Sequence, residues 1–124
     1  KSWNYRVSKS WRKSWIMINI DINIKSNFIK QIELKGHAGS GEKGYDLICC
    51  SVSTLLIALI NGLSEYIKAD IDVKVKEGYS LVKINETNQE KKIKTDVLTK
   101  TFLLSVESLS EENPEFVKVN IMEE

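Results

Sequence analysis

Met17-Ile18-Asn19-Ile20-Asp21-Ile22-Asn23-Ile24-Lys25 is the stretch from which the fold can be read. Isoleucine recurs at every second position with polar residues between. Successive side chains of a strand point to opposite faces, so this is a strand with one buried face and one wet face. Lys25-Ser26-Asn27 makes a turn, and Phe28 to Lys35 reads as the hairpin partner with Ile32 and Leu34 inward. From Asp46 to about Ile67 the period changes to that of a helix, with Ile48, Val52, Leu55, Leu59 and Leu63 on one side. Ile71, Val73 and Val75 alternate with charged residues in a third strand, and Glu77-Gly78 turns the chain into a fourth, Tyr79 to Asn85. A second helix runs from about Asn88 to Ser110, with Val97, Leu98, Phe102, Ser105 and Leu109 inward. Pro114 closes it, and Val117, Val119 and Ile121 mark a last strand. The order β-β-α-β-β-α-β with one-sided strands predicts an α+β fold of two layers. A largely antiparallel or mixed sheet carries both helices on one face.

The 124 residues suit one compact domain, and 42% hydrophobic with 28% charged residues is ordinary for a globular chain. The net charge of +1 hides an asymmetry. Lys1, Arg6, Lys9, Arg12 and Lys13 lie in residues 1–16 with no acid, so the body holds 13 basic against 17 acidic side chains. A mildly acidic body argues against direct nucleic-acid binding, which needs clustered Lys and Arg. Residues 1–16 also contain all three tryptophans and repeat Lys-Ser-Trp at 1–3, 9–11 and 13–15. The expectation is a leader or non-native segment, with the protein domain spanning 17–124. The alternative is a basic amphipathic helix with Trp3, Val7, Trp11 and Trp15 on one side, suited to a membrane surface or an acidic partner.

Cys49 and Cys50 are neighbours, and a bridge between neighbours is strained. One histidine and two cysteines are too few for a closed zinc site. No metal or cofactor is expected, and a reducing cytoplasm is the natural compartment. The longest uninterrupted apolar run, Leu55 to Ile60, is far short of the roughly 20 residues of a membrane span.

The chemistry concentrates in Gly36-His37-Ala38-Gly39-Ser40-Gly41-Glu42-Lys43-Gly44-Tyr45-Asp46-Leu47-Ile48-Cys49-Cys50. Its segment 39–44 matches GxGxxG, but the strand before it alternates, whereas a dinucleotide-binding strand is apolar throughout. Glu42 also stands where a Walker A loop needs lysine. Gly36, Ala38, Gly39, Gly41 and Gly44 are better read as a substrate or lid loop. Asp46 is a favourable N-cap, which would place Cys49 in the first turn, among unpaired amides and the positive end of the dipole. Such a thiol favours the thiolate and could be paired with His37, the only histidine. The same amides could hold an oxyanion. Ser53, one turn on, could hydrogen-bond into the site. Cys50 points about 100° further round the helix and is expected to pack.

The run from Gly36 to Ser53 resembles the signature of the ribosomal-processing cysteine protease family, Prp, and the similarity extends over about residues 17–121. The resemblance implies a cysteine endopeptidase that removes the N-terminal extension of a large-subunit ribosomal protein. It implies Cys49 as nucleophile, His37 as base, and supporting positions at Asp46 and Ser53. It also implies a cytoplasmic homodimer whose partner is that extension peptide, with no direct contact to nucleic acid or membrane. Cys50 stands where a small residue is usual, and residues 1–16 have no counterpart. The alternative is a ribosome-associated module that holds a peptide without cutting it. A thiol redox sensor built on Cys49 and Cys50 is a further rival.

Overall fold

The computed structural model describes residues 17–36 and 43–124. Five strands form one sheet: β1 (Ile18–Lys25), β2 (Phe28–Lys35), β3 (Ile71–Lys76), β4 (Tyr79–Ile84) and β5 (Val117–Glu123). Helix α1 (Lys43–Asn61) ends in a π-helical turn, Gly62–Ile67, and helix α2 spans Gln89–Glu112. The strand order is β3-β4-β2-β1-β5. Every neighbouring pair is antiparallel except β1 and β5, which are parallel. The sheet is therefore mixed, as the one-sided strands predicted.

Ser26 and Asn27 both have positive φ, 52° and 62°, the backbone of a two-residue turn whose twist matches its strands. On β1 all four isoleucines from Ile18 to Ile24 are buried. Their inward face meets both helices in one core, while Asn19, Asp21 and Asn23 alternate with them on the polar face. There Asn120 donates to Asp21 at 2.8 Å and the Tyr79 hydroxyl to Glu33 at 2.5 Å.

On β2 the predicted Ile32 and Leu34 face inward, and Ile29 joins them. Ile29 and Ile32 are fully buried and Leu34 only partly. The register shifts between Asn23 and Ile24, which leaves Lys30 unpaired, so a bulge changes the parity of the strand near its start. The third strand is an edge. Val73 and Val75 follow the inward alternation but lie beyond the cover of the helices, 41% and 65% exposed.

Both helices rotate relative to the stripes read from the sequence. On α1 and its π-helical end the buried line is Tyr45, Cys49, Val52, Leu56, Leu59, Leu63 and Ile67, with Ile48 and Leu55 at its margin. Its steps of four and three residues keep one face inward. By length and composition, Gly44–Ile67 could cross a membrane, contrary to the reading from Leu55–Ile60 alone. Here that inner line is packed into the core. On α2 the buried line is Thr95, Thr99, Phe102 and Val106, and Val97 is 61% exposed. Threonine serves in a core because its methyl packs while its hydroxyl can bond to its own helix, as Thr99 does to the Asp96 carbonyl at 3.3 Å. Asn88 caps α2, its side chain accepting from the Lys91 amide at 3.0 Å.

Candidate active site

Helix α1 begins at Lys43, a turn earlier than an Asp46 cap requires. Asp46 lies inside the first turn and Cys49 in the second. The amide of Cys49 is then committed to the helix ladder, and the unpaired amides belong to the turn before it. This removes the expected oxyanion amides at Cys49, and the dipole has largely decayed there.

What surrounds the thiol is tertiary. Cys49 is 8% exposed and lies on the wall of a cavity of about 320 Å³. Gly36, Val52 and Ser53 contribute one side, and residues 75–80 of the β3–β4 hairpin contribute the other. The Gly36 amide donates to the Gly78 carbonyl at 3.0 Å, so the β2–β4 ladder continues to the hairpin tip beside this cavity. Cys50 is exposed and lies outside this cavity, in a separate groove shared with Thr54 and Leu109. It is not part of the core packing expected for it.

Burial pushes the Cys49 thiol above its ordinary value. Hydrogen bonding from Tyr45 draws it down, the Asp46 charge and Cys50 push it up, and Ser53 draws it down. Ser53 lines the same cavity as Cys49 and favours the thiolate, whereas Asp46 opposes it. Gly36 and Gly44 are placed at the end of β2 and the start of α1. His37, Ala38, Gly39 and Gly41 lie outside the described residues, as do residues 1–16. Two features escaped the sequence reading: Tyr45, fully buried beside Cys49, and the hairpin wall. Tyr45 was detectable, since it stands four residues before Cys49 and so shares its helix face.

A family model described as cysteine protease Prp matches residues 17–118. The chain belongs to that family. It is thus a cysteine endopeptidase by class. A Staphylococcus aureus protein named ribosomal processing cysteine protease Prp is 27% identical over 108 residues, 84% of this chain and 98% of that relative. The crystal structure of SMU.848 from Streptococcus mutans superposes with a TM-score of 0.79 at 32% identity, covering 87% of this chain and 96% of that one. The S. aureus ribosomal processing protease Prp, solved with a substrate peptide, has the same fold: TM-score 0.75, 21% identity, 85% of this chain and 99% of that one.

Proposed function

We propose that this chain removes the N-terminal extension of a large-subunit ribosomal protein, with Cys49 as nucleophile and His37 as base. The observation that carries this reading is Cys49 on the wall of a cavity between α1 and the β3–β4 hairpin, within a Prp-family chain. The S. aureus relative's name specifies ribosomal processing.

His37 takes the Cys49 proton, and the thiolate attacks the scissile carbonyl carbon to form a C–S bond. The C–N bond then breaks as the imidazolium protonates the leaving amine. Water hydrolyses the thioester, releasing the new carboxylate and restoring the thiol. Ser53 supports the thiolate. Asp46, inside the first turn of α1, orients rather than activates, because its charge raises the thiol pKa. The loop with Ala38, Gly39 and Gly41 closes over bound peptide.

The same reading makes residues 17–124 the protease domain, working as a cytoplasmic homodimer that contacts peptide and neither nucleic acid nor membrane. The acidic body and the two free cysteines support it. The test is mass spectrometry of a ribosomal-protein N-terminal peptide after incubation. One defined cut, lost in Cys49→Ala and kept in Cys50→Ala, is expected. A cut surviving in Cys49→Ala overturns the assignment. Intact peptide with measurable affinity returns the non-catalytic module, a reading that family membership does not favour.

A further inference from the structure

The Cys49 site contains a second functional side chain that the motif reading passes over. Tyr45 is fully buried, one helical turn before Cys49 on the same inward line. Its ring meets Phe116 edge-on, with centroids 6.1 Å apart at 68°. Its hydroxyl end lies against Gly36, where a Cβ would come within 3.1 Å of the Tyr45 oxygen. Gly36 and Cys49 line the same cavity. The phenol is therefore held from both ends, by Phe116 at the ring and by the Gly36 backbone at the hydroxyl, one helical turn from the thiol.

We propose that Tyr45 is the residue that positions and stabilises the Cys49 thiolate, its hydroxyl donating to Sγ from the buried side. This rests on Cys49 being the nucleophile. A thiol taken out of water is hard to ionise, and a hydrogen bond to the charged form is the direct remedy. Bonds to an ionised acceptor are roughly twice as strong as neutral ones, so the phenol favours the thiolate over the thiol. The helix terminus is too far back to supply the same help. The surrounding titratable groups do not replace it. Asp46 and Cys50 on α1 both push the thiol up. Lys76, Glu77 and Tyr79 line the hairpin side of the cavity, and the Tyr79 hydroxyl is engaged by Glu33. His37 works from the loop, outside the described residues. Tyr45 holds the sulfur from inside the core, leaving its cavity side open. Gly36 belongs to this arrangement, since any side chain there would displace the hydroxyl.

The test is the pH dependence of iodoacetamide alkylation at Cys49 in the full chain carrying Cys50→Ala, with and without Tyr45→Phe. No substrate is involved, so the result stands apart from whether the ribosomal peptide is cut. Phenylalanine keeps the ring against Phe116, and thermal melting checks the fold. The expected result is a several-fold slower reaction at neutral pH, with the two curves converging at alkaline pH where both thiols are ionised. An unchanged curve overturns the proposal. So does equal slowing at every pH, which is what altered packing alone would produce. Should Tyr45→Phe not fold, the Cys50→Ala chain supplies the test through its tyrosine absorption. Ionisation of Cys49 should shift that band to the red in step with alkylation, and the shift should vanish in Cys49→Ala. Absence of the step overturns the proposal equally.

Discussion

The Gly36 amide donates to the Gly78 carbonyl oxygen at 3.0 Å, joining the end of β2 to the tip of the β3–β4 hairpin. Gly36 has φ +136° and Gly78 φ +76°, both on the side of backbone space that favours glycine. This bond extends the β2–β4 ladder by one rung, and both glycines line the cavity that Cys49 also lines.

Gly36→Ala follows from that geometry. The new Cβ would come within 3.1 Å of the Ile18 Cα and the Tyr45 hydroxyl, and within 3.2 Å of the Met17 carbonyl. A strained φ alone costs about 1–3 kcal/mol. Chemical denaturation should show a loss of at least that order together with loss of peptide cleavage. A variant of undiminished stability would mean that the close approach at Gly36 is not maintained.

The state of the Cys49 thiol gives a pH prediction. Its pKa lies above the ordinary thiol value because the thiol is buried, so the thiolate is scarce at neutral pH and grows as pH rises. Alkylation of Cys49 in a Cys50→Ala chain should accelerate through the alkaline range. Should the midpoint fall below the ordinary thiol range, His37 rather than the helix and sheet would govern the thiol.

Glu86 predicts acid sensitivity of the fold. Its carboxylate accepts from the backbone amides of Asp70 at 2.7 Å, Asn88 at 2.9 Å and Thr87 at 3.2 Å, fastening the start of β3 to the start of α2. The Asn88 and Asp70 bonds chiefly hold its pKa below the ordinary 4.5. A depressed carboxylate contributes its full stability above the unfolded value and loses it as pH falls through the folded one. Thermal melts should therefore place Glu86→Gln below the unsubstituted chain at neutral pH, with the gap narrowing below about pH 4.5. A gap independent of pH would rule out the charge as its cause.

Ile22 and Ile121 are register partners on β1 and β5, yet one is fully buried and the other 42% exposed. Ile22→Ala should cost about 2–5 kcal/mol by leaving a cavity in the core. Ile121→Ala should cost less than about 1 kcal/mol, as a largely exposed position does. Urea unfolding of the two variants compares them directly, and equal losses would contradict the edge position of β5.

The sequence by itself determined the number, order and type of the elements, because alternation and helical periodicity are local properties that any fold must respect. Isoleucine at every second position from Ile18 to Ile24 could only make a one-sided strand, and the Gly36–Ser53 run marked a candidate site with Cys49 as its candidate nucleophile. Only the tertiary structure decided the rest. The bulge at Lys30 added Ile29 to the inward residues of β2, and the sheet order left Val73 and Val75 uncovered at an edge. Ile48 and Leu55 mark a plausible stripe on α1, yet packing against the sheet selected Tyr45, Cys49 and Leu56 beside Val52. That small rotation buries a phenol one turn from the Cys49 thiol. Burial, the hairpin wall and the Tyr45 hydroxyl come from groups distant in sequence or set by helix rotation, and these decide how readily the thiol ionises. Local periodicity does not encode them.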